Sequence, residues 1–372
     1  MTAVASEPIP VKLKKVSSVN QTPEQVRSRM LPERRRRAIR PALVSLVVSG
    51  VIWLMLTVGL VFAPWYLQIP LGIINGLYIA VLFVVGHDAA HGALFPRRWM
   101  NRFAARLALL PALHPLSSWI HSHNRQHHAF TNIREKDSSL PPLDLAEYRS
   151  RSAVGRWVTR RCRTWYGIGL HYFLDIWWKW EFAPSRNRAP KNPKAFRRDR
   201  LLVILFAVVW LTALSAAVNF DPLLTIPQVL LGFVLPQFIW NWFIGFIIFQ
   251  QHTHPRVPWY SKLDAPNPTF FMMQVQATPY LLFPPPFRKL MLHIMEHTAH
   301  HTDPLVPHYH LHDAQQELQR SFRTEMVRVI WRPKMFLETM RLCRIYDYEQ
   351  HRWCDYDGTP TTAQLVKRVP AE

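Results

Sequence analysis

The chain has 372 residues and a formal net charge of +21, with 45 Lys and Arg against 24 Asp and Glu. Its three cysteines stand far apart with no Cys-x-x-Cys pair, which excludes a disulfide scaffold and a zinc ribbon. Aromatic residues make up 13% of the chain, and long apolar runs are present, so disorder and an ordinary small globular domain are also excluded. The 18 histidines are the unusual feature of the composition.

Four uncharged runs are long enough to cross a bilayer, which takes roughly 20 mostly apolar residues. They cover residues 41–63, 65–86, 201–219 and 226–249. The connections within each pair are short, so the sequence predicts four transmembrane helices as two hairpins in an all-α integral membrane protein. The predicted organisation is a basic N-terminal segment over 1–40, a membrane domain over 41–315, and a C-terminal helical segment and tail over 316–372.

Basic residues flank these runs on one side only. Ten Lys or Arg fall in residues 1–40 and seven in residues 184–200, whereas the two hairpin loops carry none. Because Lys and Arg are retained on the cytoplasmic side, we expect both termini and a helical cap to be cytoplasmic. This placement assigns the positive charge to membrane topology and not to nucleic-acid binding. The excess of Arg (34) over Lys (11) is typical of a GC-rich bacterial genome and favours a bacterial inner membrane.

Three compact histidine sets show the spacing of residues that share one face of a helix. They are His87-x3-His91, His123-x3-His127-His128 and His297-x2-His300-His301. Eight imidazoles exceed the four ligands of one tetrahedral zinc ion and suit two transition-metal ions, although the residue types do not name the metal. Each set follows a membrane run or an interrupted apolar segment, so we expect all three to meet at the cytoplasmic face as a di-metal site.

These three sets, placed around two helical hairpins, resemble the histidine boxes of the integral-membrane fatty acid desaturase family. The likeness covers roughly residues 40–315. Finer features resemble the acyl-lipid delta-12/omega-3 branch: Asp88 after the first histidine, Gln251-His252-Thr253-His254-Pro255 after the fourth run, and Pro307-His308-Tyr309-His310 after the third box. The second box has three residues before its histidine pair, where many delta-12 members have two.

The resemblance implies a di-iron, O2-dependent enzyme whose box histidines bind the two iron ions. Carried over to this chain, the metal ligands are His87, His91, His123, His127, His128, His297, His300 and His301, with His252 as an additional ligand. No catalytic residue is implied beyond these ligands. Three further residues are candidates for orienting them: Asp88 and Glu296, each beside a box histidine, and Asn241 within a membrane run. The alternatives are a solvated carboxylate for the first two and helix packing for Asn241.

The implied activity is an oxygen-dependent desaturase that introduces a cis double bond into a membrane lipid acyl chain, of the delta-12/omega-6 type. The alternative on the same scaffold is a hydroxylase, a ketolase or a carotenoid-modifying oxygenase. No His-Pro-Gly-Gly haem string is present, so electrons would come from a separate donor, ferredoxin or cytochrome b5. The sequence leaves the acyl carrier and the oligomeric state open.

Two other classes of protein fit the histidines less well. A membrane zinc protease would require His-Glu-x-x-His, which does not occur in the chain. A metal transporter would place its ligands near the bilayer midplane, whereas these sets flank the apolar runs.

Overall fold

The structure, a computed structural model, describes residues 19–264 and 267–366. Residues 1–18 of the predicted N-terminal segment and residues 367–372 of the predicted tail lie outside the described residues. The described part is mostly helical and contains only short strands, in agreement with the predicted helical class.

The helices and strands have the following bounds. The α-helices are α1 (Pro23–Arg27), α2 (Ile39–Phe62), α3 (Trp65–His91), α4 (Arg98–Leu109), α5 (Leu116–Trp119), α6 (Leu145–Ser150), α7 (Ala153–Cys162), α8 (Ile168–His171), α9 (Pro193–Ala216), α10 (Pro222–Val229), α11 (Leu235–His252), α12 (Pro285–Leu290), α13 (His297–Thr302), α14 (His308–Ser321) and α15 (Pro333–Leu342). Pro32–Arg35 is a 3-10 helix, and wider π-helical turns cover Ile120–His127, Tyr172–Phe182, Leu230–Val234 and Met272–Gln276. The strands are β1 (Tyr280–Leu282), β2 (Arg328–Ile330), β3 (Ile345–Asp347) and β4 (Arg352–Cys354), where β1 pairs in parallel with β2 and β3 antiparallel with β4.

Four helices in the described residues are long and apolar enough to cross a membrane. They are α2, α3, α9 and the continuous run Pro222–His252, which includes α10 and α11. Each overlaps one of the four predicted runs. Only 17% of the most apolar window of α2 is buried inside the protein, so most of its apolar surface faces outward, as a lipid-facing helix requires.

The helices extend beyond the apolar runs that predicted them, as α3 and α9 show. Helix α3 passes Gly86 and continues to His91, and it ends where Gly92 adopts the left-handed conformation (φ 75°). Helix α9 begins at Pro193, because the Asn192 side chain accepts a hydrogen bond from the Ala195 amide. Hydropathy locates the apolar middle of a helix, whereas capping residues decide where it begins and ends.

Helices α3 and α11 run side by side in the same direction at the centre of the protein. At Gly76 the α11 backbone approaches so closely that a Cβ atom would lie 2.6 Å from the Pro236 carbonyl oxygen. Glycine is therefore required at this contact. The parallel packing brings His91 and His252, the last residues of the two helices, to the same end of the molecule.

The C-terminal part contains α14, α15 and a short β-hairpin. The predicted boundary at 315 falls inside α14, which runs unbroken to Ser321. Beyond α15, the strands β3 and β4 form a hairpin whose buried Tyr346 and Trp353 pack beside Trp259. These three-residue strands are too short to give an alternating pattern that sequence reading can detect.

Candidate metal centre

The structure gathers the nine predicted histidine ligands into two groups, one nitrogen of each lying within 4.8 Å of the others in its group. Group one contains His87, His91, His123, His128 and His300. Group two contains His127, His252, His297 and His301. Each group draws on histidines that are far apart in the sequence, so only the folded chain brings them together.

The second histidine box departs from the predicted helical spacing. We expected His123 and His127 to share one face, but they belong to different groups. The reason is the π-helical turn Ile120–His127, in which the His128 amide donates to the His123 carbonyl, five residues back, at 3.0 Å. This wider turn places His128 with His123 in group one and directs His127 into group two.

The other boxes keep α-helical geometry. His87 and His91, one turn apart on α3, lie together in group one, as their spacing predicted. On α13, His297 and His301 face group two, while His300 between them faces group one. His252, the last residue of α11, is the fourth member of group two, with its Nε2 2.9 Å from the Nε2 of His297.

Within both groups, the imidazole Nε2 atoms point at one another. The Nε2–Nε2 distance is 3.1 Å between His87 and His123 and also between His127 and His301. In group one, the Nε2 of His128 lies 3.1 Å from that of His300. Separations of about 3 Å are those of neighbouring nitrogens bound to one ion at roughly 2.1 Å. The Nε2 of His91 is buried with no hydrogen-bond partner in the described residues, which a bound cation would also satisfy.

Five imidazoles, drawn from both groups, are held in the neutral form that binds metals. Burial, followed by the neighbouring histidines, holds the pKa values of His123, His128, His297, His300 and His301 well below the usual histidine range. A neutral imidazole offers one lone pair to a metal and keeps one N–H for another partner. The residues present therefore fit two transition-metal ions.

Two carboxylates lie within hydrogen-bond distance of the Nδ1 atoms of predicted ligands. Asp88, predicted from the sequence, lies 3.2 Å from the Nδ1 of His87 and also 3.1 Å from the Nδ1 of His308. The Asp137 carboxylate lies 2.8 Å from the Nδ1 of His127.

Gln274 takes the same position beside another ligand candidate, with its Oε1 3.0 Å from the Nδ1 of His301. Sequence reasoning missed Asp137 and Gln274 because neither stands next to a histidine box. Asp137 follows the second box by nine residues, and only folding returns it there.

The other two predicted orienting residues bond elsewhere. The Asn241 amide donates to the Gln237 carbonyl at 2.7 Å, one turn earlier in α11. Glu296 Oε1 lies 3.2 Å from the Nδ1 of His293 and 3.0 Å from that of His312. Arg288 adds a cation to this cluster. In the described part of the chain, no side-chain hydrogen bond joins Asn241 or Glu296 to the nine histidines.

An apolar cavity opens onto both groups from between the membrane helices. It is narrow, with a volume of about 70 Å³. Histidines from both groups line it: His87, His123, His127, His252 and His297. Its apolar walls consist of Ala80, Phe83, Val84, Ile176, Ile244, Ile247, Ile248, Met291 and Ile294, among others. Walls of this kind suit an apolar ligand, which would lie beside the two groups.

A comparison with protein families agrees with this arrangement. The family model for fatty acid desaturases matches residues 63–333, well over half of the chain and all nine histidines. The chain belongs to the fatty acid desaturase family. The family predicted from the three histidine boxes is therefore confirmed.

Curated relatives come from the predicted branch of this desaturase family. The chain is 25% identical over 294 residues to the sn-1 oleoyl-lipid 12-desaturase of Picosynechococcus, with 78% of this chain and 80% of the relative covered. It is 27% identical over 301 residues to the enzyme of the same name from Synechocystis, covering 78% and 79%. To the chloroplastic omega-6 fatty acid desaturase of Glycine max it is 25% identical over 300 residues, and 78% of this chain matches 66% of the plant protein. The chain thus spans just under two thirds of the length of this plant relative.

Proposed function

We propose that this protein is an oxygen-dependent acyl-lipid desaturase of the delta-12/omega-6 type. The observation that carries the proposal is the apolar cavity between the membrane helices, which ends beside the two groups of histidine imidazoles. The names of the curated relatives support the delta-12 position and a lipid-bound oleoyl substrate for this chain.

In this proposal, group one and group two each hold one iron ion. The ligands are the histidines of the two groups, including His252. When bound, the two ions supply, from O2 and two electrons, the oxidising power that removes hydrogen from an unactivated methylene, which no side-chain acid or base can do at neutral pH. The protein contributes the orientation of the His87, His127 and His301 rings, through Asp88, Asp137 and Gln274. It also contributes an apolar wall that excludes water and aligns the acyl chain.

Fatty-acid analysis of a heterologous host tests this function. We expect expression in a host that lacks polyunsaturated lipids to produce a new diene with its second double bond at the delta-12 position, located by mass spectrometry. The matched control is the same host carrying the His300→Ala variant, which should produce no diene. A hydroxylated acyl chain or a ketocarotenoid in place of the diene would contradict desaturation and favour the alternative activities.

We further propose that the termini and the histidine-bearing segments lie on the cytoplasmic side, with a membrane domain between the N-terminal and C-terminal segments. Contacts of the N-terminal segment support this topology. The Arg27 Nε donates to the Thr302 carbonyl at 3.0 Å, and Arg35 pairs with Asp303, so this segment is held against the end of α13. The basic residues of 184–200 then flank α9 on the same side, as the positive-inside rule requires.

A pair of topology reporters tests this orientation. A cysteine at Asn219, between α9 and α10, should be labelled only from the non-cytoplasmic side of sealed vesicles, because no basic residue retains that turn in the cytoplasm. A cysteine at the exposed Arg186 should be labelled only from the cytoplasmic side. The three native cysteines are buried and give a low background. Labelling of both positions from one side would contradict the four-span arrangement.

The electrons are proposed to come from a separate redox protein, ferredoxin or cytochrome b5. The net charge of +21 supports attraction of an acidic donor, because complementary charge increases the rate of encounter.

A further inference from the structure

Glu181 is the one carboxyl group among the described residues that line the apolar cavity. Its side chain is buried, with only 2% of the residue exposed, and its Oε1 accepts a hydrogen bond from the Ser122 hydroxyl. Its Oε2 is buried with no hydrogen-bond partner in the described part of the chain. Burial raises the pKa of this carboxyl to about 8, so the group is mostly protonated at neutral pH and its free oxygen can donate a proton.

The helix that carries Glu181 separates the apolar cavity from a polar cleft. Along Tyr172–Phe182, the side chains of Tyr172 and Ile176 line the cavity together with Glu181, whereas Asp175 and Lys179 line the cleft. Water reaches the cleft, since half of the Lys179 side chain is exposed. Glu181 therefore stands in the wall between a wet compartment and a dry one.

Two serines continue this wall from the second histidine box. Ser139 lines both the cavity and the cleft, and its hydroxyl is also buried without a partner in the described residues. The Ser138 hydroxyl donates to the Ser122 carbonyl at 2.6 Å, which fixes this segment against the residue that binds Glu181. Buried hydroxyl and carboxyl oxygens of this kind bind ordered water or ligand atoms. The oxygens of Glu181 and Ser139 are therefore polar atoms located between the cleft and the apolar cavity.

The proposed reaction requires a polar connection of this kind. A methylene pair, O2, two electrons from a one-electron redox protein and two protons give a double bond and two molecules of water. The two hydrogens of the methylene pair and the two added protons supply the four hydrogens of the water formed. The added protons must enter the cavity from solvent, and hydrocarbon walls cannot carry them.

We propose that Glu181 carries protons from the polar cleft to oxygen that is being reduced beside the two histidine groups. The inference rests on the proposed oxygen-dependent function. In each step the O–H bond at Oε2 breaks as its proton passes to reduced oxygen in the cavity, and the carboxylate is reprotonated from cleft water by way of Ser139. Two such steps supply the two protons of a turnover.

Replacement of Glu181 by glutamine tests the proposal, because glutamine keeps the size of the side chain but cannot release a proton. We expect the Glu181→Gln enzyme to retain its metal content but to lose roughly 100-fold in turnover, which is the lower end of the usual contribution of a general acid. The electrons that no longer form product should appear as released peroxide. Glu181→Asp, which keeps the acid, should recover part of the turnover and most of the coupling between electrons and product. The matched control is Glu135→Gln, because Glu135 lines the cleft and not the cavity.

An infrared measurement tests the same group without turnover. Wild-type protein at neutral pH should show the C=O stretch of a protonated carboxyl that shifts in D2O, and this band should be missing in Glu181→Gln and present in Glu135→Gln. The proposal is overturned if wild type lacks the band. It is also overturned if Glu181→Gln matches wild type in turnover and peroxide release, or loses turnover only in proportion to lost metal. Hydroxylation of the lipid would overturn desaturation alone, since that reaction also consumes two protons and leaves the peroxide and infrared tests intact.

Discussion

Replacing either His127 or His300 by alanine is expected to abolish turnover and to remove metal from the protein. The two residues belong to different groups, so each variant removes one imidazole from one of the two proposed ions. His127 and His300 are both buried. We expect losses of turnover well beyond the roughly 100-fold typical of residues that only orient a ligand. Metal analysis of the purified variants should show the metal per chain reduced, most strongly at the altered group.

A suitable control is His310→Ala, because His310 is half-buried and lies outside both groups. Wild-type turnover in either His127→Ala or His300→Ala would refute the two-group assignment. His351 is also outside the groups, but it would be a poor control. Its Nδ1 lies 3.1 Å from the Trp259 carbonyl, and it is buried in a left-handed conformation (φ 46°), so its loss would reduce the stability of the fold.

Replacing Asp137 by asparagine is expected to weaken metal binding and turnover by about 10- to 100-fold. The Asp137 carboxylate lies next to the Nδ1 of His127, and it also accepts from the Asn132 and Ser139 amides at 2.7 and 2.8 Å. Asparagine has one acceptor oxygen in place of two, so one of these donors would face an NH2 group. A neutral amide oxygen also accepts from the His127 N–H more weakly than a carboxylate does, so the ring would be held less firmly. Metal titration of the purified variant and single-turnover assays at saturating metal separate the loss of affinity from the loss of rate.

The control for this substitution is Asp313→Asn. Asp313 pairs with Arg34 on the surface, where 54% of its side chain is exposed, and exposed ion pairs contribute little. We expect this variant to behave as wild type. Unchanged metal affinity and turnover in Asp137→Asn would show that the contact with His127 has no part in holding the centre.

The amino-acid sequence alone was sufficient for the membrane helices, the histidine boxes and the family. These features are local: a membrane helix needs only an uninterrupted apolar run, and the boxes are read from spacings of three and four residues. His87 and His91 illustrate this. They are four residues apart on a regular α-helix, and both imidazoles therefore lie in the same group.

The tertiary structure decided which histidine belongs to which group and which residues orient them. A π-helical turn redirects His127 away from His123, and nothing in the spacing of the second box distinguishes that turn from an α-helix. Asp137 and Glu181 lie on chain segments that fold back against the second box. Glu296 is next to His297 in the sequence, but its side chain contacts His293 and His312 instead. Residues that are neighbours in sequence can point in opposite directions on a helix. The partners of a buried side chain therefore depend on packing and on the pairing of buried polar atoms, and both are properties of the whole folded chain.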